Sequence, residues 1–176
     1  MDRDTVDIED TVDTALQHLL DRGEITDLVS RLGASLDEGR FDEMRSLLVE
    51  DATARTPGGA KEGREAVVAL ARKNHRPEWS TEHVITNVLV DLDGDRATVR
   101  ANLVVHQAEK RTPDPDTATD SVTGDSGSLP PLLAPEVTFT LGEVYRFDVV
   151  RTGQGWRFSR VDASPVWHWG TRPQPA

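Results

Sequence analysis

The first half of the chain has the apolar spacing of amphipathic helices. From Glu24 to Leu36 the apolar residues recur at three- and four-residue steps, and Gly39 follows at a position where helices commonly end. The stretch "FDEMRSLL" predicts a shorter helix, and "REAVVALARKNH" predicts a third after the break "TPGGAKEG". Residues 1–20 are acidic and poor in apolar side chains, so we expect a frayed lead-in with a short helix over residues 14–20.

The second half of the chain alternates between apolar and polar residues. The stretches "HVITNVLVDL" and "RATVRANLVVH" flank Asp93-Gly94, which favours a tight hairpin turn. A second pair, "TFTLGEVYRFDVVRT" and "GWRFSRVDASPVW", flanks the turn "GQG". Helices followed by long antiparallel strands predict an α+β fold, with a single domain over residues 21–170 and a tail at 171–176.

A segment rich in Pro, Asp and Ser separates the two hairpins, at about residues 108–135. Its composition is typical of neither helix nor strand. Two interpretations stay open: a mobile surface insertion, or a lid in which Leu129, Leu132 and Leu133 cover an apolar cavity.

Composition narrows the possible partners. A chain of 176 residues fits one domain, and its net charge of -11, with 20 basic residues scattered among 31 acidic ones, argues against binding nucleic acid. The absence of cysteine excludes disulfides and thiolate chemistry. Neither a membrane-spanning apolar run nor a secretory signal is visible, so we expect a cytoplasmic protein without a membrane partner.

Two histidines lie at the ends of the first hairpin, where antiparallel pairing brings the ends together. By strand alternation His83 shares its face with Asn87, and His106 shares its face with Asn102. Polar residues mixed with aliphatic ones suit the lining of a cavity better than a dry core. Asp37 lies at the border of the apolar stripe of the first long helix, so we expect one acid and two imidazoles to converge in one pocket.

Three stretches together resemble a known family: "DRGEITDLVSRLGASLDEGRFDEMRSLLVEDATART", "TEHVITNVLVDLDGDRATVRANLVVHQ" and "GEVYRFDVVRTGQGWRFSRV". In order and spacing they resemble the SnoaL-like branch of the nuclear transport factor 2-like (NTF2-like) superfamily, most of all the scytalone dehydratase and bile acid dehydratase-like proteins. This resemblance implies a cone-shaped α+β barrel, in which N-terminal helices pack on a strongly curved, mainly antiparallel sheet around a deep pocket.

The resemblance also implies roles for particular residues. Asp37, in "LDEGRF", matches the aspartate that supports a catalytic histidine, which matches His83 in "EH". His106, in "VVHQ", matches the second catalytic histidine. Two tyrosines of scytalone dehydratase that activate the substrate carbonyl are replaced here, and an asparagine is replaced by Tyr145. The expected substrate-binding residues are Leu36, Thr56, Asn87, Asn102, Tyr145 and Phe147.

These expectations favour a cofactor-independent dehydratase, isomerase or cyclase that acts on a hydrophobic, oxygenated substrate resembling a polyketide or a steroid. A neutral imidazole can remove a proton next to a carbonyl group and return it to a leaving hydroxyl. The alternatives are a ligand-binding protein without catalysis, a scaffold like the small subunit of ring-hydroxylating oxygenases, and a metal site on the same acid and imidazoles. Trp167 and Trp169 share a face, where they close the mouth of the cone or face a second subunit, and we expect a homodimer.

Overall fold

The computed structural model describes residues 3–110 and 137–171, with side chains from residue 11 onward. Within these described ranges, three helices and six strands follow one another. Leu129, Leu132 and Leu133, the predicted lid residues, lie outside the described residues. The elements are α1 (Arg3–Asp37), α2 (Phe41–Ser46), β1 (Leu48–Thr56), β2 (Gly59–Glu62), α3 (Arg64–Asn74), β3 (Trp79–Asp93), β4 (Arg96–Glu109), β5 (Val137–Thr152) and β6 (Gly155–Gly170).

Helix α1 is continuous, whereas the sequence predicted a frayed lead-in and two helices. A single glycine inside a helix costs only about 1 kcal/mol, so Gly23 does not end it. Asp21 is buried and accepts hydrogen bonds from Arg151 (2.6 Å) and from the Trp156 indole (3.3 Å). These contacts attach the middle of α1 to the β5–β6 hairpin. From residue 25 onward the helix buries one apolar side, formed by Ile25, Leu28, Val29 and Leu32.

The strands form one sheet in the order β2-β1-β6-β5-β4-β3. Every neighbouring pair is antiparallel except β1 and β6, which are parallel. Strands β1 and β2 were missed because β1 contains the polar run "EDATART" and every residue of β2 is exposed. The predicted α+β fold is confirmed, with helices packed on one face of a curved, mainly antiparallel sheet.

The core lies between α1 and the inward face of the sheet. α1 packs mainly against β3, and α2 and α3 close the side next to β1. On β4 the inward row is the apolar run predicted from alternation, Val99, Ala101, Leu103 and Val105. The largest fully buried side chains are Phe147, Phe158, Ile25, Leu32, Leu48 and Leu103.

A β-bulge on β3 changes which residues face the core. Near the turn the two strands pair as Asp93 with Arg96, and beyond the bulge Thr86 pairs with Asn102. Asn87 has φ of +54°, a left-handed conformation that asparagine tolerates better than most residues. The extra residue on β3 shifts its pairing with β4 by one residue. Beyond the bulge, counted from the turn, every side chain of β3 therefore faces the side of the sheet opposite to the one that simple alternation predicts.

The outer face of the sheet carries the two tryptophans of β6. Trp167 and Trp169 pair with Gly142 and Thr140 on this face and are 49% and 64% exposed. They therefore do not close the mouth of the cavity, and contact with a second subunit stays a prediction. Among the described residues, no helix is long and apolar enough to span a bilayer.

Candidate active site

A cavity of about 180 Å³ lies between the helices and the inward face of the sheet. An engineered cavity of about 150 Å³ holds benzene, so this volume suits a compound of one or two rings. Apolar side chains from α1, α3 and four strands form most of the wall. Its polar side chains are Thr56, Asn74, His75, Thr81, His83, Gln107, Glu143 and Tyr145.

Asp37 and His83 form a hydrogen-bonded pair at the wall of this cavity. The Asp37 Oδ1 atom lies 2.6 Å from the His83 ring Nδ1. The His83 backbone N–H also donates to both carboxylate oxygens of Asp37, at 3.0 and 3.1 Å. The side chains are only 24% and 15% exposed. One carboxylate therefore fixes both the backbone and the ring of the same histidine.

Local sequence explains why these two residues meet. Gly33 lies one helical turn before Asp37, and a β-carbon there would lie 3.1 Å from Ile85 Cδ1 and 3.6 Å from the His83 carbonyl oxygen. Glycine thus allows α1 to approach β3 closely. The helix then ends at Asp37, and Gly39, with φ of +67°, turns the chain away, as the sequence predicted.

The pair has the geometry of an oriented base. Because a carboxylate accepts hydrogen bonds, Nδ1 of His83 carries the proton in this contact, and in the neutral ring Nε2 is the acceptor nitrogen. His83 lines the cavity, so Nε2 is the ring nitrogen available to a ligand. If Nε2 takes a proton, Asp37 stabilises the imidazolium that forms.

Tyr145 lies on the same wall and is buried. Burial first, and then the negative charges of Glu143 and Asp37, raise the pKa of the phenol well above its usual value of 10.0. The hydroxyl group therefore stays protonated at neutral pH and can donate a hydrogen bond. Leu36 and Thr56 line the cavity with Tyr145, as the resemblance implied.

Sequence reasoning missed other lining residues. Glu143 is a buried carboxyl group on β5 and lines the cavity. Strand alternation could have found it, because it falls in the inward row between Leu141 and Tyr145. His75, at the C-terminal end of α3, also lines the cavity and lies edge-on to Phe41, with ring centroids 5.5 Å apart.

The expectation that His106 shares this cavity is wrong. The bulge on β3 places His83 opposite Val105 on the inward face, so His106 pairs with Glu82 and faces outward. There its Nδ1 lies 3.1 Å from Thr140 Oγ1.

The same register explains why the two asparagines lie outside the cavity. Asn102 faces outward, paired with Thr86 and Val144. Asn87 occupies the bulge and is exposed. Neither is among the side chains that line the cavity, so their predicted role in binding substrate is not supported.

Phe147 also lies away from the cavity surface. Its ring packs behind Tyr145, with centroids 5.0 Å apart, and against Phe158 at 4.9 Å in the fully buried core. It supports Tyr145 and does not line the cavity.

The ligand set considered for a metal is not assembled. His106 lies on the other side of the sheet from Asp37 and His83. Within residues 3–110 and 137–171, no group of three histidine or acidic side chains is placed to hold a metal ion.

Several solved structures have a fold similar to that of this chain, and three of them are described here. An NTF2-like protein with a cystatin-like fold from Novosphingobium aromaticivorans is 24% identical, with a TM-score of 0.64 over 88% of each chain. A scytalone dehydratase-like protein from the same organism is 18% identical, with a TM-score of 0.65 over 94% of this chain and 95% of that one. A type 2 hexachlorocyclohexane dehydrochlorinase, LinA, is 19% identical, with a TM-score of 0.66 over 90% of this chain and 97% of that one.

At such low identity these likenesses establish the fold. No curated protein matches the sequence significantly. A family model for the SnoaL-like domain matches residues 17–162, which include every described element except the first turns of α1 and the end of β6. The match confirms the resemblance seen in the sequence, and the chain belongs to the SnoaL-like domain family.

Proposed function

We propose that the protein is a cofactor-independent lyase that eliminates water from a hydrophobic, oxygenated ring compound. The observation that carries this proposal is the hydrogen bond between Asp37 and His83 at the cavity wall. It supplies an oriented imidazole in a largely apolar cavity. Structures of similar fold include a dehydratase-like protein and a dehydrochlorinase, which supports elimination chemistry in the family.

The proposed reaction begins when Nε2 of His83 removes a proton from the carbon next to the substrate carbonyl. The electron pair of that C–H bond forms the new carbon–carbon double bond, and the C–O bond to the hydroxyl group breaks. The imidazolium returns its proton to the departing oxygen, which leaves as water. The base is regenerated, and Asp37 stabilises the imidazolium between the two transfers.

His106 lies outside the cavity, so we assign both transfers to His83, the histidine that Asp37 orients. A base that also protonates the leaving group must contact both groups from one side of the substrate. The proposed enzyme therefore performs a syn elimination. In the proposed reaction the protonated Tyr145 hydroxyl, on the same wall, donates a hydrogen bond to the carbonyl oxygen as negative charge develops there.

The proposal is tested by measuring turnover of cyclic β-hydroxy ketones of one or two rings, monitored by the absorbance of the conjugated enone that forms. We expect His83→Ala and Asp37→Asn each to lower kcat/KM by about 10²–10⁴-fold, because an oriented base contributes about that much. Asp37→Asn keeps the shape of the side chain while removing its charge, so ligand binding should persist.

A matched control is His106→Ala, which makes the same substitution on the neighbouring strand but on the outer face. It should retain kcat/KM within about threefold, as expected for a substitution away from reacting groups. Equal losses in His83→Ala and His106→Ala would contradict the proposed site. Binding of these ketones without any turnover by the wild type would refute catalysis and leave a ligand-binding protein.

A further inference from the structure

Two polar side chains line the cavity beside the base and have no role in the elimination described above. They are Thr81 on β3 and Gln107 on β4, and both are half-buried. Within the described part of the chain neither side chain forms a hydrogen bond, and the Thr138 hydroxyl donates to the backbone carbonyl of Gln107 instead of to its amide. Their polar atoms are therefore available to a ligand in the cavity.

The sheet register places this pair next to His83. Thr81 and His83 lie on the same face of β3, about 7 Å apart along the strand. Gln107 pairs directly with Thr81, and His83 pairs with Val105, so Gln107 and His83 are diagonal neighbours. Diagonal neighbours are about 7–8 Å apart, a separation that long side chains span. A single oxygen atom of a ligand can thus contact both the imidazole and the amide.

Tyr145 lies on the other side of His83 along the sheet. It pairs with Ala101 on β4, whereas Gln107 lies further along β4, past the residue that pairs with His83. In the proposed reaction Tyr145 binds the carbonyl oxygen and His83 deprotonates the neighbouring carbon. The leaving hydroxyl group is bonded to the next carbon, on the side away from the carbonyl group. This order of groups directs the hydroxyl group toward Gln107 and Thr81.

The two side chains match a hydroxyl group as donor and as acceptor. A glutamine amide offers N–H donors, and a threonine hydroxyl oxygen accepts. A hydroxyl group uses both, because its oxygen accepts one hydrogen bond and its proton is donated in another. A halogen substituent has no proton to donate and leaves Thr81 without a partner. The described lining residues also include neither lysine nor arginine, so no cation is placed to receive a departing halide ion.

We propose that Gln107 and Thr81 bind the leaving hydroxyl group beside His83, and that they select substrates that lose water over substrates that lose a halide. The inference rests on the proposed function in taking His83 as the base. The Gln107 amide N–H donates to the hydroxyl oxygen, and the hydroxyl group donates to Thr81. As the C–O bond breaks, the same N–H stabilises the charge on the departing oxygen until the His83 imidazolium protonates it. Gln107 and Thr81 neither gain nor lose a proton.

The test uses three probes on one saturated ring: cyclohexanol, chlorocyclohexane and methylcyclohexane. Their dissociation constants are measured by ligand-observed NMR titration, which requires no turnover. Because the probes differ in hydrophobicity, each is compared only with itself, as the ratio of its dissociation constants for a variant and for the wild type. The contribution of the apolar ring cancels in this ratio.

Gln107→Leu removes the amide group and keeps an apolar side chain in its place. We expect it to weaken cyclohexanol binding about three- to tenfold, the usual effect of a hydrogen bond between uncharged groups, and to leave the other two ratios within about twofold. Circular dichroism melting establishes that the variant is folded.

Thr81→Val removes the hydroxyl group while keeping the branched shape of the side chain, so it tests the same site with little change in packing. It should weaken cyclohexanol binding about two- to fivefold and leave the binding of the other two probes unchanged.

The matched control is Asn102→Leu, which removes an amide from the same strand but on the outer face. It should leave all three ratios within about twofold. An unchanged ratio for cyclohexanol in Gln107→Leu would overturn the proposal. Equal weakening of all three probes would do the same, because it would reflect lost packing and not a lost hydrogen bond. So would an equal loss of cyclohexanol affinity in Asn102→Leu, or the absence of cyclohexanol binding to the wild type.

This test and the turnover test fail separately. If no ketone is turned over but Gln107→Leu selectively weakens cyclohexanol binding, the lyase proposal fails and the hydroxyl-binding site stands. If ketones are turned over and the selective loss is absent, Gln107 does not hold the leaving group and only this inference is lost.

Discussion

At the scale of single residues, Asp37 has two simultaneous functions. It accepts a hydrogen bond from the His83 ring and two contacts from the backbone N–H of the same residue. The backbone contacts hold the carboxylate in place whether or not the ring is charged. The imidazole can therefore gain and lose a proton without moving, which is the requirement for a base that acts twice in one turnover.

Tyr145 offers a direct reading of the electrostatics of the cavity, because it is the only tyrosine in the sequence. Its pKa is raised by burial and by the nearby carboxyl groups, which favour the neutral phenol. The folded protein should show no phenolate absorbance near pH 10, where an exposed tyrosine is half ionised.

The sign of the linked stability effect follows from that shift. The folded pKa of Tyr145 lies above the unfolded one, so its contribution to stability is complete below about pH 10 and is lost as the pH rises toward the folded pKa. The ionisation of Tyr145 is measured by monitoring phenolate absorbance during a pH titration. The Tyr145→Phe variant provides the tryptophan signal to be subtracted. Half ionisation of Tyr145 near pH 10 in the folded state would contradict this, because it would show that the phenol is exposed to water.

At the scale of elements, side-chain contacts attach α1 to the sheet near its end, through Asp37, and near its middle, through Asp21. The Asp21 carboxylate is buried and accepts hydrogen bonds from Gln17, Arg151 and Trp156. Arg151 also lies over the Trp156 ring, 4.6 Å from its centroid. This cluster holds the helix to the β5–β6 hairpin and so keeps its C-terminal end over the cavity.

We expect Asp21→Asn to lower the free energy of unfolding by about 1–3 kcal/mol at neutral pH, the usual loss when buried partners lose a charged acceptor. The hydrogen bond from Arg151 is the largest cause that lowers the pKa of Asp21. The contribution of the ionised Asp21 carboxylate to stability is therefore complete above its pKa in the unfolded chain, about 3.8, and is lost as the pH falls through its pKa in the folded protein.

Urea unfolding at several pH values measures this difference. The gap between wild type and Asp21→Asn should be constant from pH 7 to about pH 5 and shrink below pH 4. Asp27→Asn, an exposed acid on the same helix, serves as the control and should show little change. A gap that persists unchanged at low pH would mean that the carboxylate charge is not what stabilises the cluster.

At the scale of elements, the fold class could be predicted from the sequence, but the register of one strand pair could not. Apolar periodicity and the turn at Asp93-Gly94 were enough for the hairpins and for the α+β class, because both are local signals. The resemblance was enough to pair Asp37 with His83. The register of β3 on β4 was not predictable, since one bulge at Asn87 decides it. Counted from the turn without that bulge, His83 would lie opposite His106 on the outward face, so the bulge is what turns His83 toward Asp37.

Glu143 shows a different limit. Its position in the inward row of β5 is readable from alternation, but alternation alone also permits an edge or a solvated site for a charged residue. Only packing shows that the inward face here encloses a cavity and that the carboxyl group is buried in it. Strand β2 was missed for a related reason, because an exposed edge strand carries little apolar signal, and β1 was missed because most of its residues are polar.

At the scale of the whole molecule, the sheet separates two surfaces with different chemistry. The inward face and the helices enclose the cavity with its base. The outward face carries His106, Trp167 and Trp169. Loss of one histidine should therefore affect catalysis, and loss of the other should affect only the outer surface.

The most direct test is the protonation pattern of the five histidines, read from long-range ¹H–¹⁵N correlation spectra with and without benzyl alcohol. We expect the neutral form of His83 to carry its proton on Nδ1, Asp37→Asn to alter this pattern, and benzyl alcohol to shift the His83 Nε2 resonance while leaving His106 unchanged. A wild-type His83 protonated on Nε2, or a ligand response at His106 and not at His83, would contradict this expectation.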